Sequence, residues 1–105
     1  MLIRKLNKKY KVSLPVDLRR HYHLVADDKI VLIPHHRGYQ IIRHGSYKPK
    51  DGMTVSVSAS NKITIPPQAL TKLRVQPGDY IWFEYSDGYY FMHKTRIEPV
   101  RGKKV

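Results

Sequence analysis

Apolar and β-branched residues fall along most of this chain in short runs bounded by turn residues. Between Met53 and Ala59, the apolar Val55, Val57 and Ala59 interleave with Thr54, Ser56 and Ser58, the pattern of a half-buried strand. Ile3 to Leu6 predicts a similar first strand. Each is followed by a polar turn, Asn7-Lys8-Lys9-Tyr10 or Ser60-Asn61, and then by a second short strand, Lys11 to Leu14 or Lys62 to Ile65. Pro66-Pro67 supplies no ladder N–H groups, so that strand must stop there. Proline does suit the first turn of a helix, where its N–H would be orphaned anyway. One or two helical turns are therefore predicted over Val16 to His23 and Pro67 to Arg74.

Hairpins close the pattern. Tyr80 to Tyr85 and Tyr89 to His93 are aromatic and β-branched runs around Ser86-Asp87-Gly88, a strong hairpin signal. Lys29 to Ile33 and Tyr39 to Arg43 flank His35-His36-Arg37-Gly38 in the same way. Pro77-Gly78-Asp79 is a turn, with proline presetting one position and glycine allowing positive φ at the next. His44 to Gly52 reads as a linker, and Arg96 to Val105, basic and without pattern, as a frayed tail.

The elements occur twice in the same order. Lys11-Val12-Ser13-Leu14-Pro15 matches Lys62-Ile63-Thr64-Ile65-Pro66 position by position, 51 residues on. The register continues from Leu24 to Val75, Asp28 to Asp79 and Ile30 to Ile81; after one extra residue near Arg37, Gly38 and Tyr39 meet Gly88 and Tyr89. Residues 1–47 are read as a first repeat and 48–105 as a second with the tail, the two forming one intertwined domain; 105 residues are few for two independent ones.

Charge narrows the function. The chain carries 20 Lys and Arg against 8 Asp and Glu, a formal +12, which favours polyanionic partners. Residues 1–20 hold seven of the cations and one acid, Asp17. The absence of cysteine excludes disulfides and Cys-based zinc sites. No window approaches a membrane span or a signal peptide, so the expected home is the cytoplasm, on the nucleoid. No nucleophile–base pair, glycine-rich phosphate loop or carboxylate pair emerges, so an enzyme is not expected. No cofactor or metal is expected either: His21 and His23 are two apart and do not share a helical face.

Asn61-Lys62-Ile63-Thr64-Ile65-Pro66, with Leu73, Val75, Pro77-Gly78-Asp79 and the closing hairpin, resembles the SpoVT/AbrB/MazE swapped-hairpin DNA-binding domain. Leu14-Pro15-Val16-Asp17-Leu18-Arg19-Arg20 resembles the AbrB version, with its paired helix arginines. The likeness covers about residues 3–44 and 54–94. Tyr10 and Asn61 stand where the family has a turn glycine, Asp27 replaces the glycine of the Gly-Asp turn, and Leu70-Thr71 replaces the arginine pair. The resemblance implies a mostly β, swapped-hairpin, AbrB-like β-barrel with one short helix per repeat. With both copies in one chain, it would be a single-chain pseudo-dimer; a linker of about nine residues spans roughly 30 Å, enough to bridge adjacent units.

The resemblance also implies a duplex DNA surface and transcription regulation. Carried over by position, it marks Arg4, Lys11, Arg19, Arg20 and Lys62; Lys5, Lys8 and Lys9 join by adjacency. Arginine and lysine meet phosphates, and arginine forks to guanine. Asn7 and Asn61 either touch base edges or shape the turns. The strand tyrosines and Trp82 either stack on bases or pack in the core. An alternative function is an antitoxin gripping a toxin protein as well as its operator, although only about ten residues, basic on balance, follow the last strand where such antitoxins resemble a barrel with a long, often acidic arm. A second alternative is a small RNA-binding barrel. The chain is expected as a monomeric pseudo-dimer or a homodimer of pseudo-dimers.

Overall fold

A computed structural model describes residues 2–36, 38–45 and 49–95. Among them the elements run β1 (Ile3–Lys5), β2 (Lys11–Ser13), α1 (Val16–His21), β3 (Lys29–His35), β4 (Gly38–Arg43), β5 (Met53–Ser56), β6 (Lys62–Thr64), α2 (Pro67–Leu73), β7 (Tyr80–Ser86) and β8 (Tyr89–Lys94). The protein is mostly β. Six antiparallel strands form a sheet in the order β1-β7-β8-β4-β3-β5, curled into half a barrel, and β2 pairs with β6 as a separate ribbon.

Every second residue of the central strands faces inward. Ile30, Leu32, Tyr39, Ile41, Ile81, Phe83, Tyr90 and Met92 form the inner face of the central strands. They join Leu6, Val12, Leu18, Val57, Ile63, Ile65, Ala69 and Leu73 in a single apolar cluster, so residues from before and after the linker share one core. At the centre of the sheet β4 and β8 approach closely. A Cβ on Gly38 would lie 2.1 Å from the Met92 carbonyl oxygen, so only glycine fits there.

The two hairpins, β3–β4 and β7–β8, are local; the remaining pairings join distant parts of the chain. β1 pairs with β7, with Ile3 opposite Trp82, and β5 pairs with β3, with Thr54 opposite Val31. Moving both partners of the first pair by 51 residues in opposite directions gives the second. In the ribbon, Val12 faces Ile63, flanked by Lys11 opposite Thr64 and Ser13 opposite Lys62. Loop hydrogen bonds recur at the same spacing. Leu6 N donates to Asp79 O and Val57 N to Asp28 O; Gly78 N donates to Leu6 O and Asp27 N to Val57 O. Val25 N and Gln76 N each donate to an aspartate Oδ2, of Asp28 and Asp79 respectively, at 2.9 Å.

Several details differ from the pattern-based expectation. The strand expected over Met53 to Ala59 ends at Ser56, because Val57 leaves the ladder to bond Asp27 and Asp28. The helices end at His21 and Leu73, short of His23 and Arg74, which take positive φ of 53° and 57° and so cannot continue a right-handed turn. β3 runs on through Pro34 to His35, which pairs with Gly38, so the connection is tighter than the four residues expected. Proline is tolerated there because β5 covers β3 only from Lys29 to Leu32. Of the strand aromatics expected in the core, Tyr90 is buried, whereas Tyr80, Tyr85 and Tyr89 are exposed on the sheet's rim and outer face. No described helix is long and apolar enough to cross a membrane. Part of the expected linker (46–48) and the tail expected to fray (96–105) lie outside the described residues.

Candidate nucleic-acid interface

The loop between β1 and β2 is fixed by its own first residue. Asn7 Oδ1 accepts from the backbone N–H of Lys9 and of Lys11, both at 2.9 Å, and Tyr10 N donates to Asn7 O. Tyr10 then turns the chain with a φ of 62°. The loop between β5 and β6 is built alike. Ser58 Oγ accepts from Lys62 N at 3.1 Å, Asn61 N donates to Ser58 O, and Asn61 also has φ 62°. The loops are stitched together where the strands end: Leu14 N donates to Asn61 O and Ile65 N to Tyr10 O.

This stitching sets the cations side by side. In the β2–β6 ribbon Val12 and Ile63 point into the core, at 1% and 0% exposure. Lys11, Ser13, Lys62 and Thr64 therefore share the opposite face. Lys11 and Lys62, together with the loops, line an open concavity of about 490 Å³ whose walls are Asn7, Lys8, Lys9, Lys11, Ser60 and Lys62. Four of these six are lysines and none is acidic. Among the described residues, the Arg43–Asp28 ion pair and the His93–Glu84 contact use none of them. A neighbouring concavity continues the surface past Asn7 and Lys8 to Lys5, Leu6 and the Pro77-Gly78 turn.

The paired arginines lie elsewhere. Arg19 and Arg20 line a separate concavity of about 610 Å³ with Val16, His23, Leu24 and Val25. Helix α1 has no side-chain cap at Pro15, so its position depends on three other contacts. Leu18 is fully buried beneath it, Arg43 Nη1 donates to the Tyr22 and His23 carbonyls at 2.6 and 2.8 Å, and His21 Nε2 lies 2.8 Å from Gly88 O. Arg19 is half-buried with its Nε donating to Leu14 O at 3.3 Å, and Arg20 is exposed. Arg4 is half-buried in the edge strand β1, its guanidinium bonded to Ile3 O.

No family model and no curated protein matches this chain. Its fold is similar to the solution structure of PHS018 from Pyrococcus horikoshii. That likeness has a TM-score of 0.52 at 16% sequence identity, covering 91% of this chain and 94% of that one. At that identity it speaks to the fold alone.

Of the eight cations singled out from sequence, Lys8, Lys9, Lys11 and Lys62 line one surface and Lys5 its extension, Arg19 and Arg20 form a second, and Arg4 stands apart in β1. Asn7 serves the turn through Oδ1, and its amide NH2 takes part in neither of those bonds. Ser60 was not singled out; its signal was position, since it stands 51 residues after Lys9. Tyr22 was also missed. Its hydroxyl donates to Ile41 O and accepts from Tyr90 N, bridging β4 and β8 behind the helix. Burial raises the Tyr22 phenol above its ordinary value, although the Tyr90 amide bond opposes the shift. Burial likewise raises Tyr39 and Tyr90. Among the described residues no group of three His, Cys, Asp or Glu could hold a metal ion.

Proposed function

We propose that this chain is a double-stranded DNA-binding protein of the SpoVT/AbrB/MazE type, a transcriptional regulator and not an enzyme, whose two repeats act as one pseudo-dimer. The observation that carries the reading is the lysine-lined concavity on the β2–β6 ribbon, with Lys8, Lys9 and Lys11 from one half and Lys62 from the other. Cations on one face, unneutralised by carboxylates, gain affinity for a phosphate backbone by displacing its condensed counterions. The exchange of β1 and β5 between the hairpins, in matching register, supports the swapped-hairpin arrangement. A lone repeat would leave β3 and β7 with open edges and Val12 or Ile63 without its facing partner.

In this reading Lys8, Lys9, Lys11 and Lys62 hold phosphates and fix the protein's register on the duplex. Lys5 extends that contact, while Arg19 and Arg20 are the candidates for reading base edges. Lysine suits the first role as a mobile point charge, arginine the second as a planar fork.

The test is binding of a labelled duplex of about 25 base pairs, measured by anisotropy against competing duplex RNA and single strands. Duplex DNA should compete best. Lys8→Ala, Lys9→Ala, Lys11→Ala and Lys62→Ala together should lower duplex affinity by about 100-fold or more at physiological salt with little change in Tm. Arg19→Ala with Arg20→Ala should weaken binding strongly, again without unfolding. Preferential competition by RNA or single strands, or unchanged affinity in the four-lysine variant, would overturn the proposal.

A further inference from the structure

The matching register of the two halves assigns every residue of one loop a counterpart in the other, and their charges do not match. Lys8 and Lys9 correspond to Ala59 and Ser60, and only Lys11 has a basic counterpart, Lys62. On the helices, Arg19 and Arg20 correspond to Leu70 and Thr71; on the edge strands, Arg4 and Lys5 correspond to Val55 and Ser56. At these seven matched positions the first repeat carries seven cations and the second carries one. Lys72, Arg74 and Lys94 add cations to the second repeat, but at the end of α2 and in β8, outside the concavity that Lys62 lines. Lys72, near the end of α2, donates to His36 O at 3.2 Å, and Lys94 donates to Arg74 O at 3.1 Å. Leu70 is packed against the core, so its position on α2 has been given to packing instead of to a cation.

A symmetric dimer places equal cations on both arms and so selects inverted repeats. Here the backbone keeps that symmetry and the side chains have lost it. We infer that the duplex target is lopsided: one chain grips phosphates mainly on the side of loop 7–10 and α1, and the preferred sequence is not an inverted repeat. The inference rests on the duplex-binding reading and adds the class of site to it.

Selection from random duplexes, followed by phosphate-ethylation interference on complexes shown by light scattering to hold one chain per duplex, tests it. A non-palindromic motif with interference concentrated on one side of its centre is expected. Lys8→Ala with Lys9→Ala should flatten the slope of log K against log salt by about 2. Loading the poor side with Ala59→Lys, Ser60→Lys and Thr71→Arg, all at exposed positions, should steepen it by about 2–3 and shift selection towards an inverted repeat. An inverted repeat with equal interference on both arms of the unmodified protein's complex would overturn the inference while leaving duplex binding intact. Failure to bind any duplex would overturn the duplex-binding reading, and this inference with it.

Discussion

Loop 7–10 and loop 58–61 trace the same path with different chemistry. Each begins with a side-chain oxygen accepting a backbone N–H, each ends on a residue at φ 62°, and each passes a carbonyl to the opposite strand. Between those fixed points the first carries Lys8 and Lys9, and the second Ala59 and Ser60. The backbone of such a loop is held by its first and last residues, so the exposed positions between them are left to set charge without disturbing the fold. The ribbon beneath shows the reverse case. Val12 and Ile63 face each other in the core, so both positions must stay apolar.

The sharpest way to break this division is at the ribbon. Ile63→Ala should destabilise the protein by about 2–5 kcal/mol in urea unfolding, the range for truncating a fully buried isoleucine. Val12→Ala should cost less, since fewer buried methyl groups are lost. A loss well under 1 kcal/mol at Ile63 would mean that the ribbon is not part of the common core.

Tyr22 offers the next largest contrast, because its counterpart Leu73 has no hydroxyl. Tyr22→Phe strands the buried Tyr90 N–H and Ile41 carbonyl, an expected loss of about 1–3 kcal/mol. The same residue sets an alkaline limit. Tyr22, Tyr39 and Tyr90 are held above the ordinary phenol value, so the folded chain keeps protons that the unfolded chain releases. Their contribution is complete below the unfolded value of about 10 and lost as pH rises through the raised folded values. Urea midpoints should therefore fall above that pH, and less steeply in the Tyr22→Phe variant. Equal slopes would remove Tyr22 from the effect.

The smallest effect concerns the turn itself. A left-handed conformation strains a bulky residue more than asparagine. Tyr10→Asn should accordingly stabilise by up to about 1 kcal/mol, and Asn61→Tyr should destabilise by a similar amount, both read as shifts in Tm. Opposite signs would show that Tyr10 has packing that outweighs the backbone strain.

Much of the local fold was legible because it depends on short-range rules. Pro15 and Pro66 end strands and open helices, and Ser86-Asp87-Gly88 makes a hairpin. The run from Tyr80 to Tyr85 is apolar at nearly every position, so it does not show that Ile81 and Phe83 form the buried face. Helix ends were read too long because positive φ at His23 and Arg74 is dictated by the chain's return to the sheet, not by those residue types. The grouping of the cations was legible only in part. Lys8, Lys9 and Lys11 are close in sequence, but Lys62 joins them only through strand pairing with Ser13, 49 residues away. The separation of Arg19 and Arg20 into another concavity depends on how Leu18 and Arg43 seat α1, which no local pattern encodes.

Salt dependence of duplex affinity tests the shared cationic surface most directly. If it neutralises about 4–6 phosphates, log K against log salt should fall with a slope near −4 to −5, and replacing Lys8, Lys9, Lys11 and Lys62 by alanine should bring it close to −1. An unchanged slope in that folded variant would contradict the account.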